Sequence, residues 1–251
     1  YYVRMGEAME RFAIEASMAK VYGSETSSMI VDNCLQIFGG YGFIEEYPIA
    51  MAYRDDRINR IWEGTNEINR AIISGYMMKK VLTEEISLRD FLKDLNTFIA
   101  ADVQANSQDN FAIEKHAVQA TKKLVVLIFQ EALCEFGQDL KHEQQLSEAF
   151  ADIFTHIYTS ESVICRVQQT LSSNGTSNMP VNIAKINVAE SLLEVRSLSA
   201  KCLNRIFSEN VPTSIMRSVT KLHDIINLDT DTISLKKDLG EFMIDRKDYP
   251  F

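Results

Sequence analysis

The sequence predicts an all-α protein made of two successive helical bundles, and three observations support that prediction. Apolar residues recur at steps of three and four along most of the chain, which is the spacing of an amphipathic helix. No stretch alternates apolar and polar residues as a half-buried strand would. Hydrophobic residues make up 46% of the 251 residues and charged residues 24%, which is typical of a globular chain with one large or two smaller cores.

Residues 1–81 are predicted to form the first bundle. The apolar spacing predicts helices over residues 3–22, from Ser24 or Thr26 to Gly39, over 49–57 and over 66–80. Gly23 is expected to end the first of these helices, because glycine is unfavourable inside a helix. Thr65 precedes the fourth helix and is a good N-cap, since its hydroxyl can accept a hydrogen bond from the first turn.

Residues 82–251 are predicted to form the second bundle. Apolar stripes predict helices over residues 87–105, 109–136, 146–171, 180–207 and 213–226. Ser87 with Asp90 resembles a capping box, and Pro180 suits the first turn of a helix. The helix over 180–207 is apolar on two faces, so we expect it at the centre of this bundle. Outside the helices, the chain is expected to form a loop over 172–178 and an acidic tail with Asp229, Asp231 and Asp238.

The charge and hydropathy of the chain exclude several classes of partner. A net charge of −9 argues against nucleic acid, because a phosphate backbone selects for clustered lysine and arginine. No apolar run reaches the roughly 20 residues of a membrane span, and no signal peptide opens the chain, so we expect a cytoplasmic protein. The acidic balance also weakens the case for binding to an anionic membrane surface, although a single amphipathic segment could still bind one.

The cysteines and histidines lack the spacing of a metal site or a disulfide framework. They are Cys34, Cys134, Cys165 and Cys202, and His116, His142, His156 and His223. We expect buried free thiols and structural or solvated histidines, and no metal site.

The stretch from Arg54 to Arg70 contains the candidate catalytic residue, Glu63. This acid lies on a turn between Trp62 and a glycine, in a loop flanked by apolar helices, where it could be desolvated enough to accept a proton. The unpaired N–H groups of the helix that follows could hold an anionic group of a ligand. The alternative is a solvated loop acid followed by an ordinary helix cap.

Four blocks of sequence stand in a specific order and spacing. They are Gln36-Ile-Phe-Gly-Gly-Tyr-Gly-Phe, Glu46-Tyr-Pro, Tyr53-Arg-Asp and Ile61-Trp-Glu-Gly-Thr-Asn-Glu-Ile-Asn-Arg70, and Ser17-Met-Ala-Lys with Ser24-Glu-Thr adds a fifth. Together they resemble the C-terminal helical domain of acyl-CoA dehydrogenases, over residues 8–80. The helical extension after them resembles that of the very-long-chain group, where it takes part in dimer contacts and membrane association.

The resemblance implies a role for each matching position. Glu63 matches the base that removes the proton α to the thioester carbonyl, and Gly64 matches a residue whose backbone touches the acyl-CoA. Positions lining the FAD are matched by Thr65, Asn66 and Glu67. The strip that contacts the FAD of a neighbouring subunit is matched by Gln36, Ile37, Phe38, Gly39 and Gly40. Gly75 departs from the pattern, since many relatives have arginine near this point.

The activity implied is FAD-dependent α,β-dehydrogenation of an acyl-CoA by a homodimer or homotetramer that passes electrons to an electron-transfer flavoprotein. One alternative is an acyl-CoA oxidase, although Thr65 stands where oxidases tend to have an acid. Another is a non-catalytic helical assembly module, against which Glu63 argues. The chain begins at Tyr1, without methionine, and enters a helical pattern almost at once. We therefore expect a fragment that is inactive by itself.

Overall fold

The fold is known from a computed structural model that describes residues 6, 9–101, 109–174, 178–208 and 210–246. Its helices are α1 (Ala13–Phe38), α2 (Pro48–Asp56), α3 (Asn66–Leu82), α4 (Leu88–Leu92), α5 (Leu95–Ala100), α6 (Ala112–Phe136), α7 (Gln144–Asn174), α8 (Met179–Phe207), α9 (Thr213–Ile226) and α10 (Thr232–Arg246). Short 3₁₀ helices cover Gly39–Phe43, Arg57–Arg60 and Gly137–His142. No strand occurs in the part of the chain that the structure describes, so the all-α prediction is confirmed.

The chain packs as two compact units. The first comprises Tyr1–Ile86 with Lys141–Ala151, and the second comprises Ser87–Leu140 with Asp152–Phe251. The boundary between residues 81 and 82, proposed from the sequence, stays a prediction.

In the first unit, α1 packs along α3 and α2. Val21 of α1 is 1% exposed and Ile73 of α3 is fully buried. Burying two such side chains stabilises the contact by about 1.5–3 kcal/mol each. Polar side chains are buried on these helices as well: Ser17, Ser24, Asp56, Asn66, Asn69 and Ser74. The first unit therefore combines an apolar contact with a polar one.

The prediction that Gly23 ends a helix is wrong, because α1 runs through it without a break. Apart from the nearby backbone of α1 itself, no atom of the described residues lies within 4 Å of the position that a Gly23 Cβ would occupy, and the backbone there is not left-handed. The contacts that Ser24 and Glu25 make with α3 hold the helix together at this point. These contacts outweigh the cost of about 1 kcal/mol for a glycine inside a helix. The predicted start near residue 3 lies outside the described residues.

The other predicted ends in the first unit are close to those observed. Gly39 follows α1 with φ 59° and donates its N–H to the Gln36 carbonyl, as expected of a glycine C-cap. Helix α2 begins at Pro48. Helix α3 begins after Thr65 and ends at Leu82, against a predicted 66–80.

The second unit is organised around α6 and α8. Helix α8 contacts α6, α9 and α10, so the prediction that it is central is confirmed. The core is lined by fully buried side chains, among them Leu124, Ile128, Val188, Val195 and Leu222. Ser199 Oγ of α8 lies 2.9 Å from His223 Nε2 of α9 and adds a polar contact between these helices.

In the described part of the predicted helix over 87–105 there are instead two short helices, α4 and α5, with a break between them at Lys93 and Asp94. Residues 102–105 lie outside the described residues. Ser87 Oγ accepts the Asp90 N–H, so the predicted cap is present. The break coincides with Lys123, whose ammonium donates to the Phe91 carbonyl at 3.0 Å and to Asp94 at 2.6 Å. A carbonyl held this way, together with an aspartate turned towards α6, favours the end of a helix over its continuation.

Two further differences concern helix starts in the second unit. Helix α6 begins at Ala112 rather than near 109, because the Asp109 carboxylate accepts the Phe111 N–H and holds a turn there. The predicted acidic tail contains helix α10, and the Asp231 carboxylate accepts the N–H of Ser234 at its start. An acidic side chain is favourable at a helix N-terminus.

The long helices end close to the predicted residues. Helix α7 covers Gln144–Asn174, so it extends into the predicted loop over 172–178, of which residues 175–177 lie outside the description. Helix α8 has Pro180 in its first turn, and α9 has the predicted bounds. Among the helices described, none has the length and apolar character that crossing a membrane requires.

Candidate active site

Glu63 and Gly64 form a turn with two successive left-handed residues, immediately before α3. Glu63 has φ 56° and Gly64 has φ 79°. The left-handed conformation costs a residue with a Cβ about 1–2 kcal/mol, so Glu63 is held in a strained position. Gly64 adopts it freely, and a Cβ added there would lie 3.2 Å from Asn69 Nδ2. Of the two residues at this turn, only Gly64 is therefore of a type that suits a left-handed backbone.

Two side chains hold the turn by its Gly64 carbonyl. Lys20 Nζ donates to this oxygen at 2.9 Å, and Asn69 Nδ2 donates to it at the same distance. Asn69 also reaches the Thr65 carbonyl at 3.1 Å. The carbonyl is thus fixed from α1 on one side and from α3 on the other.

Thr65 caps α3 as predicted. Its hydroxyl oxygen accepts the Ile68 N–H at 3.3 Å. The Glu67 carboxylate lies at the same helix start, where a hydrogen bond from its own N–H and another from the Thr65 hydroxyl lower its pKa. Glu67 therefore stays ionised and exposed at the start of the helix.

The side chain of Asn66 faces inwards. It is 2% exposed; it accepts a hydrogen bond from Lys20 at 2.6 Å and donates to Ser24 at 3.0 Å and to Glu25 at 3.0 Å. Its amide has no capacity left for a ligand. Of the residues predicted to line a cofactor, Asn66 is therefore limited to contacts through its backbone.

An ion pair completes the contact between α1 and α3. Arg70 donates to both Glu25 oxygens, at 2.7 and 2.9 Å. Burial by itself would raise the pKa of Glu25, but hydrogen bonds from Arg70 and Asn66 and the charges of Arg70 and Arg60 outweigh it and lower the pKa. This paired geometry fixes the register of the two helices more narrowly than apolar contacts alone.

The Glu63 side chain is exposed in this chain, together with Trp62 and Ile61. Within the described residues, no hydrogen bond or ion pair engages its carboxylate. The desolvation expected from the sequence does not come from the residues that the structure describes. Among these residues the carboxylate has no contact that holds the fold.

Asp56 belongs to the charged run Arg54-Asp-Asp-Arg57. It is 7% exposed and accepts hydrogen bonds from Ser27 and Asn59, so it ties α2 to α1. The other three members of the run are exposed.

The strip of Gln36, Ile37, Phe38, Gly39 and Gly40 is exposed throughout. Ile37 is 83% and Phe38 45% exposed, and among the described residues beyond its chain neighbours no atom lies within 4 Å of a Cβ placed at either glycine. The strip lies at the C-terminal end of α1, about 24 Å along the helix axis from Lys20. The structure therefore brings residues 63–67 together and places residues 36–40 elsewhere on the first unit.

Lys20, Glu25 and Asn69 were not predicted as parts of the site. Lys20 and Glu25 belong to the fifth block quoted above, Ser17-Met-Ala-Lys with Ser24-Glu-Thr, which the sequence alone left without a role. Their spacing from Gly64 and Arg70 gives no local signal. The resemblance of the fifth block to the acyl-CoA dehydrogenase domain was the signal by which Lys20 and Glu25 could have been assigned to the site.

Two segments of the chain match family models. Residues 2–78 match a model described as acyl-CoA dehydrogenase, C-terminal domain, and residues 120–220 match a second model with the same description. Together the two segments include most of the chain.

Curated relatives and a solved structure agree with these matches. A probable acyl-CoA dehydrogenase of Bacillus subtilis (strain 168) is 34% identical over 203 residues, which cover 80% of this chain and 34% of that protein. The mitochondrial very long-chain specific acyl-CoA dehydrogenase of Bos taurus is 30% identical over 193 residues, covering 67% of this chain and 28% of the relative. The crystal structure of an acyl-CoA dehydrogenase complexed with FAD from Bacillus anthracis aligns with a TM-score of 0.87 at 29% identity, covering 98% of this chain and 41% of that one.

The chain thus spans about a third or less of the length of these curated relatives. The bovine alignment is longer than the first unit, so the similarity to a very-long-chain enzyme reaches into the second bundle. With two family models matched, and with both bundles aligned to relatives, the chain belongs to the acyl-CoA dehydrogenase family.

Proposed function

We propose that this chain is part of an FAD-dependent acyl-CoA dehydrogenase in which Glu63 is the base that removes the α proton. The observation that carries the proposal is the turn before α3. A carboxylate that has no partner among the described residues lies there on a strained left-handed residue, beside a glycine whose carbonyl accepts hydrogen bonds from two donors. Strain of this kind persists when the surrounding structure enforces it, and it is common at functional sites.

The left-handed backbone alone would not single out Glu63, because Glu84 shares it with φ 59°. Glu84, however, follows Thr83, the C-cap of α3, and a left-handed residue is common at that position after a helix. Glu63 precedes a helix, where no such capping role applies. The difference in position supports a catalytic role for Glu63 only.

In the proposed reaction, the acyl thioester loses a proton from its α carbon and a hydride from its β carbon. The C–H bond at the α carbon of the acyl thioester breaks, and its proton forms an O–H bond with the Glu63 carboxylate. The electron pair left behind forms the α,β double bond while a hydride leaves the β carbon. FAD, when bound, supplies the acceptor for that hydride. Because the α proton is very weakly acidic, the base must lie within hydrogen-bond reach of the carbon and away from water.

The residues of this chain fit contact with a flavin. At the start of α3 the Thr65 hydroxyl takes the Ile68 N–H and the Glu67 carboxylate takes its own N–H, which leaves the Asn66 N–H, among the described residues, to meet a polar edge. The open backbone at Gly39 and Gly40, beside the exposed Ile37, leaves room for a group to approach closely. Thr65 and Glu67 would lie beside the cofactor, with Asn66 contributing its backbone, and residues 36–40 would contact the FAD of a neighbouring subunit.

The Glu63 carboxylate has to be shielded from water by groups other than the described residues. The neighbouring structure from Bacillus anthracis is more than twice as long as the part aligned here. We propose that the remainder of such a protein, with a second subunit, covers Glu63 and forms the acyl-CoA pocket with Gly64. The exposed aromatic and aliphatic side chains of Ile37, Tyr41 and Phe43 suit burial in a homodimer or homotetramer.

Electrons would pass from the flavin to an electron-transfer flavoprotein. The oxidase alternative would transfer them to oxygen, and the assembly-module alternative would transfer none. Thr65, rather than an acid, follows Gly64 and supports the dehydrogenase.

The proposal is tested with Glu63→Gln in the full-length gene product that carries this chain. Removing a general base should lower turnover of an acyl-CoA by roughly 100- to 10,000-fold, while the absorbance of bound FAD remains. Glu84→Gln is the matched control, because it removes an exposed acid with the same backbone conformation and should keep the parent rate. A Glu63→Gln enzyme with most of its rate would remove Glu63 from the mechanism. Oxygen consumption by the parent enzyme would indicate the oxidase instead.

A further inference from the structure

We propose that Lys20 is a positioning residue for Glu63, fixing the Gly64 carbonyl and with it the direction in which the Glu63 carboxylate leaves the turn. This inference rests on the proposed function of Glu63. It assigns to the reaction a side chain from α1, which lies 44 residues from the turn in sequence.

The first observation is how the Gly64 carbonyl is bound. It accepts one hydrogen bond from the neutral Asn69 amide and one from the Lys20 ammonium, both at 2.9 Å. Hydrogen bonds from a charged donor are the stronger kind. Lys20 is therefore the stronger of the two donors, and it is the one that ties the turn to a different helix.

The second observation is the strain that this bond opposes. Glu63 is a left-handed residue with a Cβ, which persists only when its surroundings enforce it. Within the described residues, the Glu63 side chain has no bond of its own to hold it. The backbone is fixed on both sides of Glu63: the Trp62 N–H donates to the Ile58 carbonyl at 3.1 Å, and the Gly64 carbonyl is bound by Lys20 and Asn69. Of these contacts, the one with Lys20 ties the turn to α1.

The third observation is that Lys20 itself is held in place. Its ammonium also donates to Asn66 Oδ1 at 2.6 Å, and the Asn66 amide in turn donates to Ser24 and Glu25. The side chain is half-buried, and its acceptor Asn66 is 2% exposed. Lys20 is therefore preorganised by a chain of polar contacts, unlike a flexible surface lysine.

The hydrogen bond from Lys20 to the Gly64 carbonyl also sets the direction of the Thr65 N–H group. The C=O and N–H of a trans peptide point in opposite directions, so a Gly64 carbonyl turned to Lys20 directs the Thr65 N–H away from α1. Glu63 and this N–H are then oriented by the same contact. Displacing a catalytic group by about 1 Å can reduce a rate about 100-fold, so such a contact has kinetic weight.

The test uses Lys20→Met in the full-length protein, with rates expressed per bound FAD. We expect kcat to fall about 100-fold with a small change in KM for the acyl-CoA. The isotope effect on kcat with α-deuterated substrate should increase, because proton removal becomes slower than the other steps. Combined with Glu63→Gln, Lys20→Met should cost no further rate, since both changes remove the same contribution.

A structural readout accompanies the kinetics. Amide hydrogen exchange over residues 62–65 should accelerate in Lys20→Met. The control is Lys79→Met, which removes a lysine of α3 that pairs with Glu10 at 2.5 Å on the surface. It should leave kcat, the isotope effect and exchange at the turn unchanged. If Lys20→Met fails to fold, Lys20→Gln, which keeps a neutral donor, decides the same question with a smaller loss.

The outcomes separate this inference from the proposed function. An inactive Glu63→Gln enzyme together with a Lys20 variant of unchanged kcat, isotope effect and exchange would overturn the positioning role and leave the base in place. An active Glu63→Gln enzyme would overturn both. Equal effects of Lys20→Met and Lys79→Met would show that lost charge or stability, rather than position, causes the change.

Discussion

Two alanine substitutions in the same segment, Gly64→Ala and Gly75→Ala, are predicted to change stability in opposite directions. Gly64 has φ 79°, and its new Cβ would lie 3.2 Å from Asn69 Nδ2. The left-handed backbone costs alanine about 1–2 kcal/mol. Displacing the Asn69 amide weakens its hydrogen bonds to the turn, at about 1 kcal/mol for a typical bond. We therefore expect Gly64→Ala to destabilise the first unit by about 2–3 kcal/mol.

Gly75 is the control for this prediction. It lies inside α3 and its backbone is not left-handed. Apart from the nearby backbone of α3, no described residue has an atom within 4 Å of the Cβ position. Alanine is more favourable than glycine inside a helix by about 1 kcal/mol, so Gly75→Ala should stabilise the fold by about that amount. Gly64→Ala and Gly75→Ala therefore make the same chemical change with expected effects of opposite sign.

The measurement is urea unfolding of the full-length protein and both variants, with the slope compared before midpoints are converted to free energies. If the slope of unfolding free energy against urea concentration is unchanged, a difference in midpoint between variant and parent is a difference in stability. A Gly64→Ala protein as stable as the parent would contradict a left-handed Gly64 in contact with the Asn69 amide. A Gly75→Ala protein less stable than the parent would contradict the open space beside α3.

Two predictions concern pH. The pKa of Glu25 lies below its ordinary value of 4.5, since bonds from Arg70 and Asn66 outweigh the effect of burial, so its stabilising contribution is lost as the pH falls through the lowered value. Arg70→Met should reduce the decrease in the urea midpoint that is observed as the pH falls. Burial, and then the charge of Arg196, lowers the pKa of His223 below 6.5, so the unfolded chain binds the proton more readily and stability falls as the pH drops below 6.5. His223→Gln should reduce that slope, and an unchanged slope would contradict the burial of this ring.

Local chemistry explains what the sequence predicted well. Thr65, Ser87 and Gly39 act at helix ends through bonds to residues three positions away, so their roles can be recognised from the sequence. The long stripes of α7 and α8 likewise depend only on helical spacing. These features need no knowledge of what packs against them.

Contacts between distant residues explain what the sequence did not predict. Gly23 fits inside α1 because neighbouring residues bond to α3, and the break between α4 and α5 coincides with bonds from Lys123 of α6. Both effects oppose a local preference with a tertiary contact. Helix α10 differs from the predicted acidic tail for another reason, since the Asp231 carboxylate accepts the Ser234 N–H and so caps a helix.

The candidate site divides in the same way. Residues 63–67 are contiguous, so one resembling block indicated all of them. The sequence could not show that the Asn66 side chain is used internally, because its partners Lys20 and Glu25 lie more than forty positions away. Nor could it show that Glu63 is exposed in this chain, since exposure depends on which other segments pack against the turn.

The polar contact between α1 and α3 has a consequence for catalysis that an apolar one would lack. Apolar side chains tolerate small shifts of one helix along another, because their attraction has little directionality. The pair of Glu25 with Arg70, by contrast, makes two hydrogen bonds that align in one register only. The same register brings Lys20 to the Gly64 carbonyl. The contact that fixes the helices thus also fixes the turn that carries Glu63, and for that reason the loss of Arg70 should affect the proton transfer as well as the stability of the fold.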